Sequence, residues 1–98
     1  FLYDYRSRHG PSLAQSLANA MNAQYTFQSS AKPAQPDTNG KSRDGDFSEA
    51  YYTIAGAACP SACCEPFFID GGNAFLCESA HLVGETLGIA LHTWLQAQ

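Results

Sequence analysis

The C-terminal segment carries the pattern that most constrains the fold. Residue pairs recur along one side at intervals of four, and polar residues line the other side, so the sequence predicts an amphipathic helix. The pairs are Leu82 and Val83, Thr86 and Leu87, Ala90 and Leu91, and Trp94 and Leu95. A helix of this kind needs a partner layer that covers its apolar stripe. Gly84 and Gly88 each lower the stability of the helix by up to about 1 kcal/mol relative to Ala, and tertiary packing has to offset this loss. We therefore expect this helix to approach a sheet closely.

The N-terminal part predicts a strand followed by a second helix. Aromatic residues alternate over residues 1–5, which is typical of a strand with one buried face. Ser12 and Gln15 fit a capping box, so we expect the helix to begin there and to end near Tyr25.

The middle of the chain predicts a long loop and two further strands. Residues 29–47 contain prolines, glycines and six of the fourteen charged residues without any period, which indicates a loop. Residues 50–55 and 61–69 have strand composition, and residues 70–73 predict a turn. The order strand, helix, loop, strand, strand, helix predicts one α/β domain over residues 1–98, with a mainly parallel sheet flanked by helices.

Size and composition exclude several classes of protein. A chain of 98 residues has room for one core, and 45% hydrophobic against 14% charged residues argues against intrinsic disorder. The net charge of -4 and the lack of a basic stripe argue against nucleic acid as a partner. The longest apolar stretches are far shorter than the roughly 20 residues that span a bilayer, so we expect no membrane insertion. Because the first residue is Phe1, we expect a processed product or part of a longer polypeptide.

Four cysteines in a short chain raise the question of a disulfide framework. Cys63 and Cys64 are adjacent within a predicted buried strand, which favours unpaired thiols in or near the core. At least one disulfide among Cys59, Cys63, Cys64 and Cys77, or metal ligation, are the alternatives. The sequence contains no C-x-x-C pair, so the spacing of a zinc ribbon is missing.

Glu65 is the residue that most invites a chemical role. It lies in the most apolar stretch of the chain, after a predicted strand and before Pro66. Ligand sites of open α/β sheets lie at the carboxyl ends of strands, and burial there would raise the pKa of a carboxyl towards the range of a general acid or base. The alternative is a structural carboxylate held by backbone amides or by an arginine such as Arg43.

The sequence gives less support for a functional role of the three histidines than for one of Glu65. His81 and His92 are eleven residues apart on the predicted polar face of the last helix, so they cannot share a metal ion within this chain. We expect both to be solvated. His9 follows the first strand in a polar turn and has no partner in the sequence.

The run from Ala58 to Asp70, ACPSACCEPFFID, resembles the closing motif of the zinc-dependent N-acetylmuramoyl-L-alanine amidases. That family of cell-wall and phage amidases has a phosphorylase/hydrolase-like α/β fold, in which a proline, a short buried strand, a Glu and a Phe-Ile turn precede the last helix. The strand at 1–5 and the helix that follows it are also similar to the family's pattern. The resemblance covers nearly the whole chain and matches the C-terminal half of the family's domain.

The resemblance implies an activity and a division of roles. It implies that Glu65 is the catalytic general base of a peptidoglycan hydrolase that cleaves the amide between N-acetylmuramic acid and L-alanine. The cofactor would be zinc, with two His and a Glu as ligands in an upstream segment outside this chain. The partners would be peptidoglycan and that upstream half of the same domain, in the cell envelope, outside the cell or on a phage. We expect this chain alone to be inactive, because amide hydrolysis would then lack its Lewis acid.

Two other functions remain open on the sequence. The first is a metal-free, amidase-like module that binds the cell wall or serves as a structural part of an envelope or phage assembly. The second is a small secreted domain that is held together by disulfides. If half of the sheet lies upstream, the strand at 1–5 would expose an edge, and we expect the isolated chain to aggregate or remain molten.

Overall fold

A computed structural model describes residues 1–4, 6–25, 28–34, 58–65 and 74–98. Five elements fall in this part of the chain, and they are, in order, strand β1 (Leu2–Asp4), helix α1 (Gly10–Gln24), strand β2 (Lys32–Ala34), a 3-10 helix (Ala74–Ser79) and helix α2 (Ala80–Gln96). Strands and helices combine in a mixed α/β fold, as expected. The predicted strand at 50–55, the turn at 70–73 and Arg43 lie outside the described residues.

Strand β1 lies between two partners. On one side it pairs in parallel with β2, in a register that sets Tyr3 opposite Pro33. On the other side Leu2 forms an antiparallel bridge with Cys63, in which each backbone N–H donates to the other's carbonyl at 2.9 and 2.8 Å. The side of β1 away from β2 is thus paired at Leu2 within the described residues. That the isolated chain aggregates or remains molten stays a prediction.

Strand β2 lies inside the segment that was predicted to be a loop. Lys32 donates its backbone N–H to the Phe1 carbonyl at 2.9 Å, which aligns the start of β2 with β1. The backbone nitrogen of Phe1 in turn donates to the Ser30 carbonyl at 3.0 Å. Helix α1 is the crossover that makes this parallel pair possible, because two parallel strands cannot be joined by a tight turn.

Helix α1 begins three residues earlier than the capping box predicts, since the N-cap is His9 and not Ser12. His9 is the N-cap, its side chain makes no capping hydrogen bond, and Pro11 lies in the first turn, where the missing N–H has no helical partner to lose. The Ser12 hydroxyl donates to the His9 carbonyl at 3.0 Å instead of accepting from a backbone amide. Gln15 donates to the Asn19 side chain at 2.8 Å, so the reciprocal half of the box is absent as well.

A tight turn joins β1 to α1 and explains the glycine at the start of the helix. Ser7 donates its backbone N–H to the Asp4 carbonyl at 2.8 Å, and its hydroxyl accepts from the Gly10 N–H at 2.9 Å. A Cβ added at Gly10 would lie 2.9 Å from Ser7 Cβ and 3.1 Å from Tyr3 Cβ. The turn therefore closes only with a residue that has no side chain at this position.

The core lies between the two helices and is closed by β1 and the 3-10 helix. Its buried hydrophobic residues are Phe1, Leu13, Ala14, Leu17, Ala18, Met21, Leu76, Val83, Ala90 and Trp94. Met21 and Leu76 are the largest side chains that are fully buried. At the edge of the core the Trp94 indole N–H donates to the Ser12 hydroxyl at 3.1 Å, which joins the two helices by a side-chain hydrogen bond.

Helix α2 confirms the predicted C-terminal helix, but only three of the eight residues of the predicted stripe are buried. Val83, Ala90 and Trp94 face the core, whereas four other apolar residues of the helix are exposed, namely Leu82, Ile89, Leu91 and Leu95. The expected close approach of a sheet to the two glycines is wrong for the described strands, because a Cβ built at Gly84 or at Gly88 would meet no atom of the described residues within 4 Å. No helix in the described part of the chain is long and apolar enough to cross a membrane.

Candidate functional site around Glu65

Glu65 lies two residues after Cys63, whose backbone is hydrogen-bonded to β1. Cys63 forms both hydrogen bonds of its bridge with Leu2, so the chain leading to Glu65 is fixed against β1. Glu65 itself is exposed, as is Cys64, whereas Cys63 is half-buried. The prediction that Glu65 lies in a desolvated environment is therefore wrong, because its side chain is exposed and, among the described residues, this segment pairs with β1 through one bridge.

The direction of the bridge shows at which end of strand β1 Glu65 lies. The chain at 63–65 runs antiparallel to β1, so it passes from Leu2 towards the amino end of that strand. Asp4 and Ala34 lie at the opposite, carboxyl end of the parallel pair. Ligands of parallel sheets bind at the carboxyl ends of the strands, which here is the end at Asp4, whereas Glu65 lies towards the amino end.

The carboxylate of Glu65 acts on the neighbouring thiol. Burial raises the pKa of the Cys63 thiol, and the negative charge of Glu65 raises this pKa further. The thiol is therefore kept protonated, and a thiolate is the form that attacks substrates or binds metals. Of the two side chains, that of Glu65 is the one that is exposed to solvent.

The four cysteines are unpaired, but most of them lie outside the core. Cys59, Cys64 and Cys77 are exposed, and Cys63 is half-buried. The expectation of core thiols thus holds in part for Cys63 and is wrong for the other three. These free thiols also give no support to a small domain held together by disulfides.

The histidines do not gather around Glu65. His81 and His92 are exposed on α2, as expected, and His9 is exposed at the start of α1. Within the described residues, no three His, Cys, Asp or Glu side chains come together as a group that could hold a metal ion. The donor set that zinc requires is thus not provided by these residues.

The carboxyl end of β1 carries an ion pair that the sequence analysis missed. Arg6 donates from Nε and Nη2 to the two carboxylate oxygens of Asp4 at 3.0 and 2.9 Å. These hydrogen bonds hold the pKa of the Asp4 carboxyl below its ordinary value. An Asp at the end of an apolar strand with an Arg two residues later was the available signal. Because its acceptor sites are engaged by Arg6, Asp4 stabilises the turn and is a poor candidate for a base.

Comparisons of the chain with protein-family models, with curated proteins and with solved structures find no match. The resemblance to the amidases therefore depends on the residues of this chain, from the ACPSACCEPFFID run to the final helix. The part of that run from Pro66 to Asp70 lies outside the described residues.

Proposed function

We propose that this chain is the C-terminal part of a peptidoglycan amidase and that Glu65 is its general base. The observation that carries the proposal is that Glu65 is exposed to solvent and lies two residues after Cys63, which paired hydrogen bonds join to Leu2. A general base needs both properties, because it must reach the proton that it removes and must be held in place while it does so. The resemblance of the surrounding run to the amidases supplies the reaction.

The reaction is hydrolysis of the amide between the lactyl group of N-acetylmuramic acid and L-alanine. Water adds its oxygen to the carbonyl carbon, the bond from that carbon to the alanine nitrogen breaks, and the products are a carboxylate and an amine. Glu65 would remove the proton from the attacking water and deliver it to the leaving nitrogen. One residue serves both steps because the proton it takes up is the proton that the amine needs.

Zinc belongs to this proposal as a group held by residues upstream of this chain. It supplies a Lewis acid when bound. The described residues bring no three donors together, so we assign no zinc ligand here and derive no step that passes through the metal. The upstream half of the domain is accordingly proposed as a partner.

The exposure of Glu65 also fits a polymeric substrate. Peptidoglycan is a network, so its scissile amide has to meet the enzyme at a surface that is open to bulky chains. A carboxylate on an exposed sheet edge is accessible in this way, whereas a base in a closed pocket would admit only small molecules. The proposed location follows from the substrate and is the cell envelope, the extracellular space or a phage particle.

The test is the Glu65→Gln variant in the complete polypeptide that carries this chain. Gln keeps the size and hydrogen-bonding capacity of the side chain but cannot take up a proton, so we expect turnover of purified sacculi to fall by about 10²- to 10⁴-fold. The zinc content should stay the same, because Glu65 is not proposed as a ligand. Glu78→Gln is the matched control, since Glu78 is another exposed glutamate, on the 3-10 helix.

The two variants separate catalysis from folding. Both substitutions change exposed side chains, and we expect them to leave the thermal unfolding of the polypeptide unchanged. An active Glu65→Gln enzyme would overturn the assignment of the base. A polypeptide that binds sacculi but contains no zinc and releases no products would instead favour the metal-free cell-wall-binding or structural module.

A further inference from the structure

Two adjacent cysteines lie at the bridge between residues 58–65 and strand β1. Cys63 donates its backbone N–H to the Leu2 carbonyl at 2.8 Å, and its own carbonyl accepts from the Leu2 N–H at 2.9 Å. Cys64 is the next residue, and neither thiol takes part in a disulfide. Chemistry at these two thiols can therefore act on the backbone of the bridge.

The bridge keeps the two thiols apart. It requires extended backbone at Cys63, and successive side chains of an extended chain point to opposite faces. The burial of the two residues agrees with this arrangement, because Cys63 is half-buried whereas Cys64 is exposed. A bond between the two sulfurs needs both side chains on the same side of the chain. The bridge and a disulfide between Cys63 and Cys64 therefore exclude each other.

The spacing of neighbouring Cα atoms leads to the same conclusion. Consecutive Cα atoms are about 3.8 Å apart, whereas the Cα atoms of two cysteines in a disulfide are usually about 4.4–6.8 Å apart. A disulfide between neighbours closes a small ring, so the backbone has to leave the extended conformation to accommodate it. At Cys63 this change would move the N–H and the carbonyl that bind Leu2.

We propose that Cys63 and Cys64 form a redox-sensitive switch, in which oxidation of the pair opens the bridge to Leu2. The oxidant is a low-molecular-weight disulfide such as oxidised glutathione. The Cys64 thiolate attacks one sulfur of the oxidant, the S–S bond of the oxidant breaks, and the first thiol is released. The Cys63 thiolate then attacks the Cys64 sulfur of this mixed disulfide and releases the second thiol. The pair loses two electrons and two protons, and the oxidant takes them up as two thiols.

Exposure decides which of the two cysteines reacts first. Cys64 is exposed and therefore meets the oxidant, whereas Cys63 is half-buried. Desolvation raises the pKa of both thiols, so thiolates are scarce at neutral pH and we expect oxidation to be slow there. The inference is independent of the proposed function, because it concerns the backbone hydrogen bonds of the bridge.

The test is amide hydrogen exchange in the polypeptide that carries this chain, before and after equilibration with oxidised glutathione at mildly alkaline pH. The variant Cys59→Ser with Cys77→Ser is used, so that Cys63 and Cys64 are the remaining cysteines of residues 1–98. Both replaced residues are exposed, so we expect the variant to fold like the wild type. After oxidation, mass spectrometry should show that the peptide with both cysteines has lost two hydrogens.

The amides of Leu2 and Cys63 report on the bridge, because each N–H donates to the other residue's carbonyl. Oxidation should speed up the exchange of both amides by about tenfold or more. Lys32 is the internal control, since its N–H donates to the Phe1 carbonyl in the pairing of β1 with β2. Its exchange rate should stay the same.

Cys64→Ser is the matched control variant. It removes the exposed thiol and leaves the bridge at Cys63 in place, so exchange at Leu2 and Cys63 should not respond to the oxidant. An equal response in this variant would overturn the proposal. So would an oxidised pair in which both amides stay protected, or a reaction that stops at mixed disulfides. Faster exchange at Lys32 as well would indicate general unfolding and contradict a switch that is confined to the bridge.

Discussion

The hydrogen bond between Trp94 and Ser12 gives the sharpest prediction about the fold. It joins the two helices across the sequence, with 3.1 Å between the indole nitrogen and the hydroxyl oxygen, in a partly buried position. Ser12→Ala leaves the indole N–H without its acceptor, which costs about 0.5–1.5 kcal/mol of the free energy of unfolding. For a domain of this size, 1 kcal/mol corresponds to about 4–8 °C in the midpoint of thermal unfolding.

A double-mutant cycle isolates this hydrogen bond from the other effects of Ser12→Ala. Alanine raises helix propensity by a few tenths of a kcal/mol, and the exposed bond from Ser12 to the His9 carbonyl is lost as well. Combining Ser12→Ala with Trp94→Phe cancels these terms, because they occur in both halves of the cycle. We expect a coupling free energy of about 1 kcal/mol from urea unfolding followed by circular dichroism.

Ser16→Ala is the matched control for the cycle. Ser16 lies one turn after Ser12 on α1, and it is Ser12 that accepts the hydrogen bond from Trp94. The coupling between Ser16→Ala and Trp94→Phe should therefore be close to zero. A coupling of zero between Ser12 and Trp94, with both single variants folded, would refute the described contact between α1 and α2.

Three further predictions concern the core, the turn and pH. Met21→Ala should lower the free energy of unfolding by about 2–5 kcal/mol in urea titrations, because Met21 is fully buried and the vacated space is only partly refilled; a loss below 1 kcal/mol would contradict the burial. Gly10→Ala should cost about 1–3 kcal/mol in the same titrations, because the new Cβ would lie 2.9 Å from Ser7 Cβ; an unchanged stability would show that the turn relaxes freely. The pKa of Asp4 is lowered from 3.8, so its pair with Arg6 stabilises the fold above pH 3.8, and this contribution is lost as the pH falls through the lowered pKa. The Asp4→Asn variant should show a flatter dependence of the free energy of unfolding on pH in this range. An unchanged dependence would count against the ion pair.

The helices could be predicted from the sequence because their signal is local. The four-residue recurrence of Leu13, Leu17 and Met21 and the corresponding pattern from Val83 to Trp94 both mark faces that are buried in the structure. The start of α1 was not predicted correctly. The helix begins at Gly10 because the turn packs there and Pro11 fits the first helical turn. A capping box is a weaker signal than such tertiary contacts.

Strand β2 could not be predicted because its formation depends on β1. Lys32, Pro33 and Ala34 have low strand propensity, and their neighbourhood has the composition of a loop. What makes them a strand is the edge of β1, which offers hydrogen-bonding groups such as the Phe1 carbonyl. Pairing between distant segments of this kind leaves no periodic pattern in the sequence.

The sequence predicted Glu65 as the candidate residue but did not predict its environment. An apolar neighbourhood in sequence predicted burial of Glu65, yet exposure is decided by what packs on the segment, and the described contact is a single bridge at Cys63. The glycines of α2 show the same limit. Small residues allow close approach, but whether another element approaches depends on the rest of the fold, and no described residue comes within 4 Å of a Cβ built at Gly84 or Gly88.

The chemical identity of the products released from purified sacculi tests the proposed function most directly. The complete polypeptide that carries this chain should release peptides with new amino groups on L-alanine, while the glycan strands keep their length and gain no reducing ends. New reducing ends would indicate a glycosidase, and new amino groups on residues other than L-alanine would indicate a peptidase. Either result would contradict the proposed amidase, as would release of L-alanine amino groups that the Glu65→Gln variant carries out at the wild-type rate.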